Sequence, residues 1–221
     1  MKFNIAIDGP SAAGKSTIAD ILADKLGYIH LDTGAMYRAV AYKCKLEEIN
    51  LNDEDNIVKI INNMNLDMMP NGSVVLDEVD ISTKIRTNEM STNASKVSQL
   101  LGVRNALVHK QQEICKNGGY ILDGRDIGTV VLKDAPIKIY MVASSVARAN
   151  RRVKQNIEKG IEGSDFEKIL SDIEARDYQD THRQYSPLIK ADDAIEIDTS
   201  NLSIDEVVEI ILQIINSKLG A

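Results

Sequence analysis

A glycine-rich run, Gly9-Pro10-Ser11-Ala12-Ala13-Gly14-Lys15-Ser16-Thr17, stands between the apolar stretch Phe3-Asn4-Ile5-Ala6-Ile7-Asp8 and a helical pattern. It reads G-x-x-x-x-G-K-[ST] in the context that gives this motif meaning: a strand, a turn, then the start of a helix. The run constrains the fold because it needs a buried strand behind it and a helix N-terminus in front. Its glycines let successive N–H groups turn inward as an anion-binding nest. The following helix adds the positive end of its dipole at the same point. Lys15 supplies a mobile charge for outer phosphates, and the Ser16 hydroxyl is placed to ligate Mg²⁺. Residues 9–17 are therefore expected to hold a nucleoside triphosphate.

The rest of the chain fits that beginning. Apolar strand candidates at 3–8, 28–32, 119–123, 137–143 and 194–198 alternate with helical periodicity. The helices read as roughly 15–26, 34–46, 53–64, 103–117, 145–159, 165–184 and 203–218. This alternation predicts an α/β fold, a five-stranded parallel sheet with helices on both faces. Gly27 is placed to end the first helix, and Ser203 with Glu206 forms a capping box for the last. Ile204, Val207, Val208, Ile211, Ile214 and Ile215 predict a core face on that last helix.

Two segments break the rhythm. Across 65–89, Asn71-Gly72 separates short apolar runs, which predicts a small antiparallel hairpin or three-stranded unit. Across 158–164, Gly160 and Gly163 lie between two charged helices, a composition suited to a mobile lid. The expected organisation is one domain over 1–221. Its core comprises 1–62, 105–147 and 166–221, with an insert over about 63–104 and a short lid over about 148–165.

With 43% apolar and 27% charged residues, the composition is that of an ordinary soluble protein. No run approaches the roughly 18 apolar residues that would span a membrane, and the N-terminal apolar stretch is too short for a signal peptide. Cys44 and Cys115 lie in helical patterns without C-x-x-C spacing, so buried reduced thiols and a cytoplasmic setting are expected. A net charge of −7 argues against nonspecific nucleic-acid binding. His30, His109 and His182 lack metal-ligand spacing and read as structural or solvent-facing.

Two classes of triphosphate-binding protein compete: a small-molecule phosphotransferase, and a switch or motor driven by hydrolysis. A guanine-reading N-K-x-D is absent, and the one D-x-x-G, Asp24 to Gly27, lies at the end of the first helix. The strand Tyr120-Ile121-Leu122-Asp123 is followed by Gly124-Arg125-Asp126, and an arginine there suggests a second anionic ligand. Ligands of such a sheet bind beyond the strand carboxyl ends. The second strand also delivers polar groups to that rim, Asp32-Thr33-Gly34 with Tyr37 and Arg38 behind them. Arg176, Asp180 and Arg183 share one helical face, a spacing that also suits an exposed salt-bridge ladder. Arg148 and Arg152 form a similar pair before the expected lid. Arginine forks suit phosphate oxygens, so the balance favours a kinase.

In this order the segments resemble the bacterial cytidylate kinases over nearly the whole chain. The specific stretches are Ile7 through Thr17, Leu31-Asp32-Thr33-Gly34-Ala35-Met36-Tyr37-Arg38, and Leu122-Asp123-Gly124-Arg125-Asp126-Ile127-Gly128-Thr129-Val130-Val131. Ile85-Arg86-Thr87, Asp134 through Ile139 and Ala191-Asp192-Asp193-Ala194 match as well. The unit at 65–89 falls where this family carries an enlarged monophosphate-binding insert.

The resemblance implies a nucleoside monophosphate kinase fold and transfer of the ATP γ-phosphate to CMP or dCMP with Mg²⁺, by a monomer. It implies that Arg38, Arg125 and Arg183, helped by Thr33, hold the acceptor phosphate. Ser95, Arg104 and Asp126 would read the cytosine, while Arg176 and Asp180 contact the sugar and Tyr37 packs against the nucleotide. Residues 9–17 would take ATP, with Arg148 and Arg152 closing over it. Lys15, Arg125, Arg152 and Arg183 would carry the catalytic charge. Ala12 stands where family loops commonly have glycine, a methyl expected to be tolerated.

Overall fold

Alternation within the short buried strands decides which side chains meet on each side of the sheet. In the computed structural model, which describes residues 2–158, 160 and 165–219, the chain opens with β1 (Ile5–Asp8), α1 (Lys15–Leu26), β2 (Ile29–Asp32), α2 (Thr33–Leu46) and α3 (Glu54–Asn63). An excursion follows: β3 (Leu66–Met68), β4 (Val74–Leu76), β5 (Val79–Asp80) and α4 (Asn88–Val97). The chain returns through α5 (Leu101–Cys115), β6 (Tyr120–Gly124), a π-helical turn (Ile127–Val131) and β7 (Ile137–Val142). It ends with α6 (Ser145–Glu158), α7 (Phe166–His182), β8 (Ile195–Asp198) and α8 (Ile204–Leu219).

The main sheet runs β2-β6-β1-β7-β8, every pair parallel, as the alternation predicted. Ile5 and Ile7 point into one core with Ile18 and Leu22 of α1 and Val208 and Ile211 of α8. Ala6, Leu31 and Leu122 point into the other, with residues of α2, α3 and α5. Burying a branched side chain on either face is worth about 1.5–3 kcal/mol, so helices are held on both sides. All carboxyl ends of this parallel sheet lie at one rim, where β1 hands over to the glycine-rich loop.

Local chemistry sets the helix ends. Gly27 closes α1 with its N–H on the Ala23 carbonyl. The Asp32 carboxylate caps α2 by accepting from the Ala35 N–H at 2.8 Å. The capping box at α8 forms as expected, the Ser203 N–H donating to Glu206 at 2.8 Å. One part of its expected core face does not hold. Val207, Val208, Ile211 and Ile215 are buried and Ile214 packs partly buried against the same core, but Ile204, the first residue of the helix, is 51% exposed.

The excursion contains the expected three-stranded antiparallel sheet, β3-β4-β5. Two further elements depart from the expectation. Residues 88–97 form α4, capped by the Thr87 hydroxyl and buried through Met90, Ala94 and Val97. A segment rich in Asn, Ser and Thr has weak helix propensity, so packing decides its state. The π-helical turn at 127–131 is likewise unanticipated. Residues 159 and 161–164 of the expected lid lie outside the described residues. Cys44 and Cys115 are buried free thiols, and burial raises their pKa values to about 11 and about 12. Among the described residues no helix is long and apolar enough to cross a membrane.

Candidate active site

The glycine-rich loop leaves β1 through Gly9, whose φ is +150° and where a Cβ would come within 2.1 Å of the Met141 carbonyl oxygen. That close approach fixes the loop against β7 and points α1 at the rim. Lys15 is buried and its Nζ donates to the Pro10 carbonyl at 2.7 Å, folding the side chain back over its own loop. Burial and the neighbouring Arg125 charge push its pKa down to about 7. The Asp123, Asp8 and Asp180 carboxylates pull the other way without offsetting burial.

Two clefts meet over this loop. One, of about 420 Å³, is lined by Lys15, Ser16, Thr33, Tyr37, Arg38, Ser95, Arg104, Arg125, Asp126, Arg152, Arg176, Asp180 and Arg183. The other, of about 530 Å³, runs along the opposite side of the loop past Gly14, Met141, Lys154, Thr199, Leu202 and Val207. Ala12, Lys15, Ser16, Thr17, Arg152 and Gln155 line both. Two ligands, one in each cleft, would therefore touch at Lys15 and Arg152.

The first cleft carries an excess of arginine. Burial and the charges of Arg125, Arg38 and Arg152 lower the Arg176 pKa to about 10, despite Asp180 nearby. Arg125 donates through Nε to Asp180 at 2.7 Å. Arg38 donates to Asp32 at 2.8 Å, and Arg183 to the Ser186 carbonyl at 2.6 Å. Among the described residues, Nε of Arg38, Arg104 and Arg176 and Nη2 of Arg183 are buried without a hydrogen-bond partner. An unmet buried donor costs about 1–3 kcal/mol, so this set calls for a ligand with several acceptor oxygens.

At the deeper end Arg104 pairs with Asp126 and donates to the Ser98 carbonyl at 3.0 Å, while its guanidinium lies 5.7 Å from the centre of the Tyr37 ring. Both charged groups are buried, and Arg183 approaches Asp126 to 3.7 Å. This end presents fixed donors and acceptors to a flat polar group. Thr33 donates its hydroxyl proton to the Asp123 carbonyl at 2.7 Å, and Ser95 reaches Gln179 at 3.3 Å.

Arg148 lies elsewhere. It is buried and donates to the Ala143 and Ser11 carbonyls at 2.9 and 3.1 Å, and it pairs with Asp177. Its guanidinium supports the glycine-rich loop from behind and lines neither cleft. Arg151 donates to Thr199, which leaves Arg152 as the arginine of α6 facing both clefts.

Several participants went unrecognised in the sequence. Arg86, Ser91 and Ser98 line the first cleft, and Asp32 orients Arg38. Arg86 stood within a matching motif but had no inferred partner. His30 is the larger surprise. Its Nε2 lies 2.7 Å from Asp123 and its Nδ1 2.5 Å from Asp20, so it sits between two carboxylates at the cleft edge. Burial opposes its charge, but these hydrogen bonds outweigh burial and raise its pKa to about 10. The other Asp123 oxygen accepts from the Ser16 hydroxyl at 3.0 Å. Burial works against the Asp123 charge, yet His30 and Lys15 hold it below the ordinary carboxylate range.

Comparison with known proteins adds an independent line. The cytidylate kinase family model matches residues 5–217. A cytidylate kinase from Thermosipho melanesiensis is 49% identical, the match covering 99% of each chain. One from Ligilactobacillus salivarius is 47% identical over 98% of each. Among solved structures, an uncharacterised protein from Eubacterium ventriosum aligns with a TM-score of 0.54 at 14% identity, covering 98% of this chain and 99% of that one. A shikimate kinase from Bacteroides thetaiotaomicron aligns with a TM-score of 0.50 at 10% identity, covering 99% of each chain. At such identities the structural likeness speaks for the fold alone.

Proposed function

The chain belongs to the cytidylate kinase family, and on that premise we propose that it transfers the γ-phosphoryl group of ATP to CMP or dCMP. An oxygen of the acceptor phosphate bonds to the γ-phosphorus as the bond to the β-phosphate oxygen breaks, giving ADP and CDP or dCDP. The meeting of two clefts over Lys15 and Arg152 carries this reading, because a donor and an acceptor must touch at their phosphates.

Phosphoryl transfer asks the protein for alignment and charge, not covalent chemistry. Residues 9–17 cradle the ATP phosphates, with Lys15 and Arg152 on the transferred group. Arg38, Arg125 and Arg183 grip the acceptor phosphate beside Thr33, and the unmet donors of Arg38 and Arg183 favour that role. Arg176 and Asp180 face the sugar, and Tyr37 packs against the nucleotide. Asp126 accepts from the cytosine amino group and Arg104 donates to a ring acceptor, with Ser95 at the edge. Uracil would set a carbonyl against the Asp126 carboxylate, a mismatch of about 1–3 kcal/mol or more. Arg148 acts through the loop it supports.

Hard oxygen donors suit Mg²⁺. Ser16 is exposed to the cleft and its proton is occupied by Asp123, so its lone pairs are available to such an ion. When bound, Mg²⁺ would neutralise charge on the triphosphate. Measuring ADP release with a panel of nucleoside monophosphates tests the proposal. CMP and dCMP should drive turnover above the other acceptors, and ATP turnover indifferent to every acceptor would refute it.

A further inference from the structure

The turn that carries Asp126 is fastened to the donor strand by a single side chain. Asp8 ends β1, is buried, and uses both carboxylate oxygens on consecutive amides. Oδ1 accepts the Ile127 N–H at 2.8 Å and Oδ2 the Gly128 N–H at 2.7 Å. These amides open the π-helical turn, where N–H groups have no partner within the helix. The turn itself is tight: the Asp126 carbonyl accepts from Val130 at 2.9 Å and Val131 at 3.2 Å, and the Ile127 carbonyl from Leu132 at 2.7 Å. A Cβ at Gly128 would lie 3.4 Å from Asp8 Oδ2, an ordinary contact, and 3.2 Å from Cδ of the flexible Lys138 side chain.

We propose that Asp8 is a positioning residue for base selection, holding Asp126 in register with the donor loop. The assignment rests on the proposed reading of cytosine by Asp126. Two acceptor oxygens on one planar group match two adjacent N–H donors, a fit neither an amide nor a hydroxyl reproduces. Asparagine would keep one acceptor and turn an NH₂ against the other N–H. The arrangement holds a buried carboxylate although burial pushes its pKa up to about 6. Its neighbour in sequence, Gly9, starts the donor loop, so one strand end registers both ligands.

The test compares wild type and Asp8→Asn in the full chain, by kinetics with CMP and UMP and by calorimetric titration of ATP. The KM for CMP should rise, and the CMP:UMP ratio of kcat/KM should narrow by about tenfold or more. ATP affinity should stay within about threefold of wild type, because the loop keeps its own contacts. A folded Asp8→Asn enzyme with unchanged KM for CMP and unchanged ratio overturns the assignment, as does equal loss of ATP and CMP binding. Asp8→Glu supplies a second test that keeps the charge and both acceptor oxygens. Its extra methylene displaces the two oxygens from the Ile127 and Gly128 amides and should also narrow the ratio, and an unchanged ratio there overturns the assignment even if Asp8→Asn does not fold. A wild-type enzyme with no preference for CMP refutes the proposed function instead, and is told apart by needing no variant.

Discussion

Lys15 is buried and folded onto the Pro10 carbonyl, and burial with the Arg125 charge outweighs the nearby Asp123, Asp8 and Asp180 carboxylates in disfavouring its cation. Its proposed role is electrostatic, and because burial already disfavours its charge, removing it should leave the fold intact. Lys15→Ala is expected to lose at least about a hundredfold in kcat, in the range of a deleted transition-state contact, with little change in Tm. Steady-state rates beside a thermal melt check both halves. Three residues earlier in the same loop, Ala12 has a φ of +60°. A left-handed conformation costs a non-glycine residue roughly 1–2 kcal/mol, so the methyl is tolerated at a price in backbone strain. Ala12→Gly should therefore raise stability by about 0.5–1 kcal/mol, read by denaturant unfolding.

His30 links three elements: it lies on β2 and bonds Asp20 of α1 and Asp123 of β6. Its folded pKa, raised from 6.5 to about 10, makes the link depend on pH. The folded state holds the proton more tightly than the unfolded chain. The stabilisation is thus complete below 6.5 and is lost as the pH climbs through about 10. Breaking a buried ion pair typically costs about 3 kcal/mol or more, so His30→Asn should lower Tm clearly at pH 6. The gap to wild type should close towards pH 10. A gap of constant size across that range would show that the ring acts by packing. The excursion teaches a similar lesson, since α4 stands on a Thr87 cap and three buried residues where composition favours turns.

At the scale of the molecule, segments remote in sequence bring Arg38, Arg125, Arg152, Arg176 and Arg183 to one cleft of an acidic protein. The two clefts divide these arginines by position. Arg183 lines the first cleft alone, and Arg183→Ala should reduce kcat/KM for CMP by about 2–5 kcal/mol, as for a desolvated charged contact. Arg152 lines both, so Arg152→Ala should weaken ATP use and transfer while CMP affinity, measured by titration, stays closer to normal. Wild-type behaviour of Arg183→Ala with CMP would overturn its proposed contact with the acceptor phosphate.

The donor loop, the five-stranded sheet and both faces of helix were legible in the sequence, because each rests on short-range rules. A glycine nest needs a particular run of residues, and strands and helices announce themselves by period. Gly27 and the Ser203–Glu206 box were readable for the same reason. Tertiary structure alone decided the rest. Whether Arg148 faces a ligand or the Ser11 carbonyl depends on where α6 packs against the loop, about which spacing along α6 says nothing. The same holds for His30, which became an imidazolium through carboxylates 10 residues before it and 93 after it. Asp8 and the π-helical turn are the clearest case, joined across 119 residues. Local sequence fixes what a residue can offer chemically, but burial and partners decide its charge and its task, and these exist only once distant segments have met.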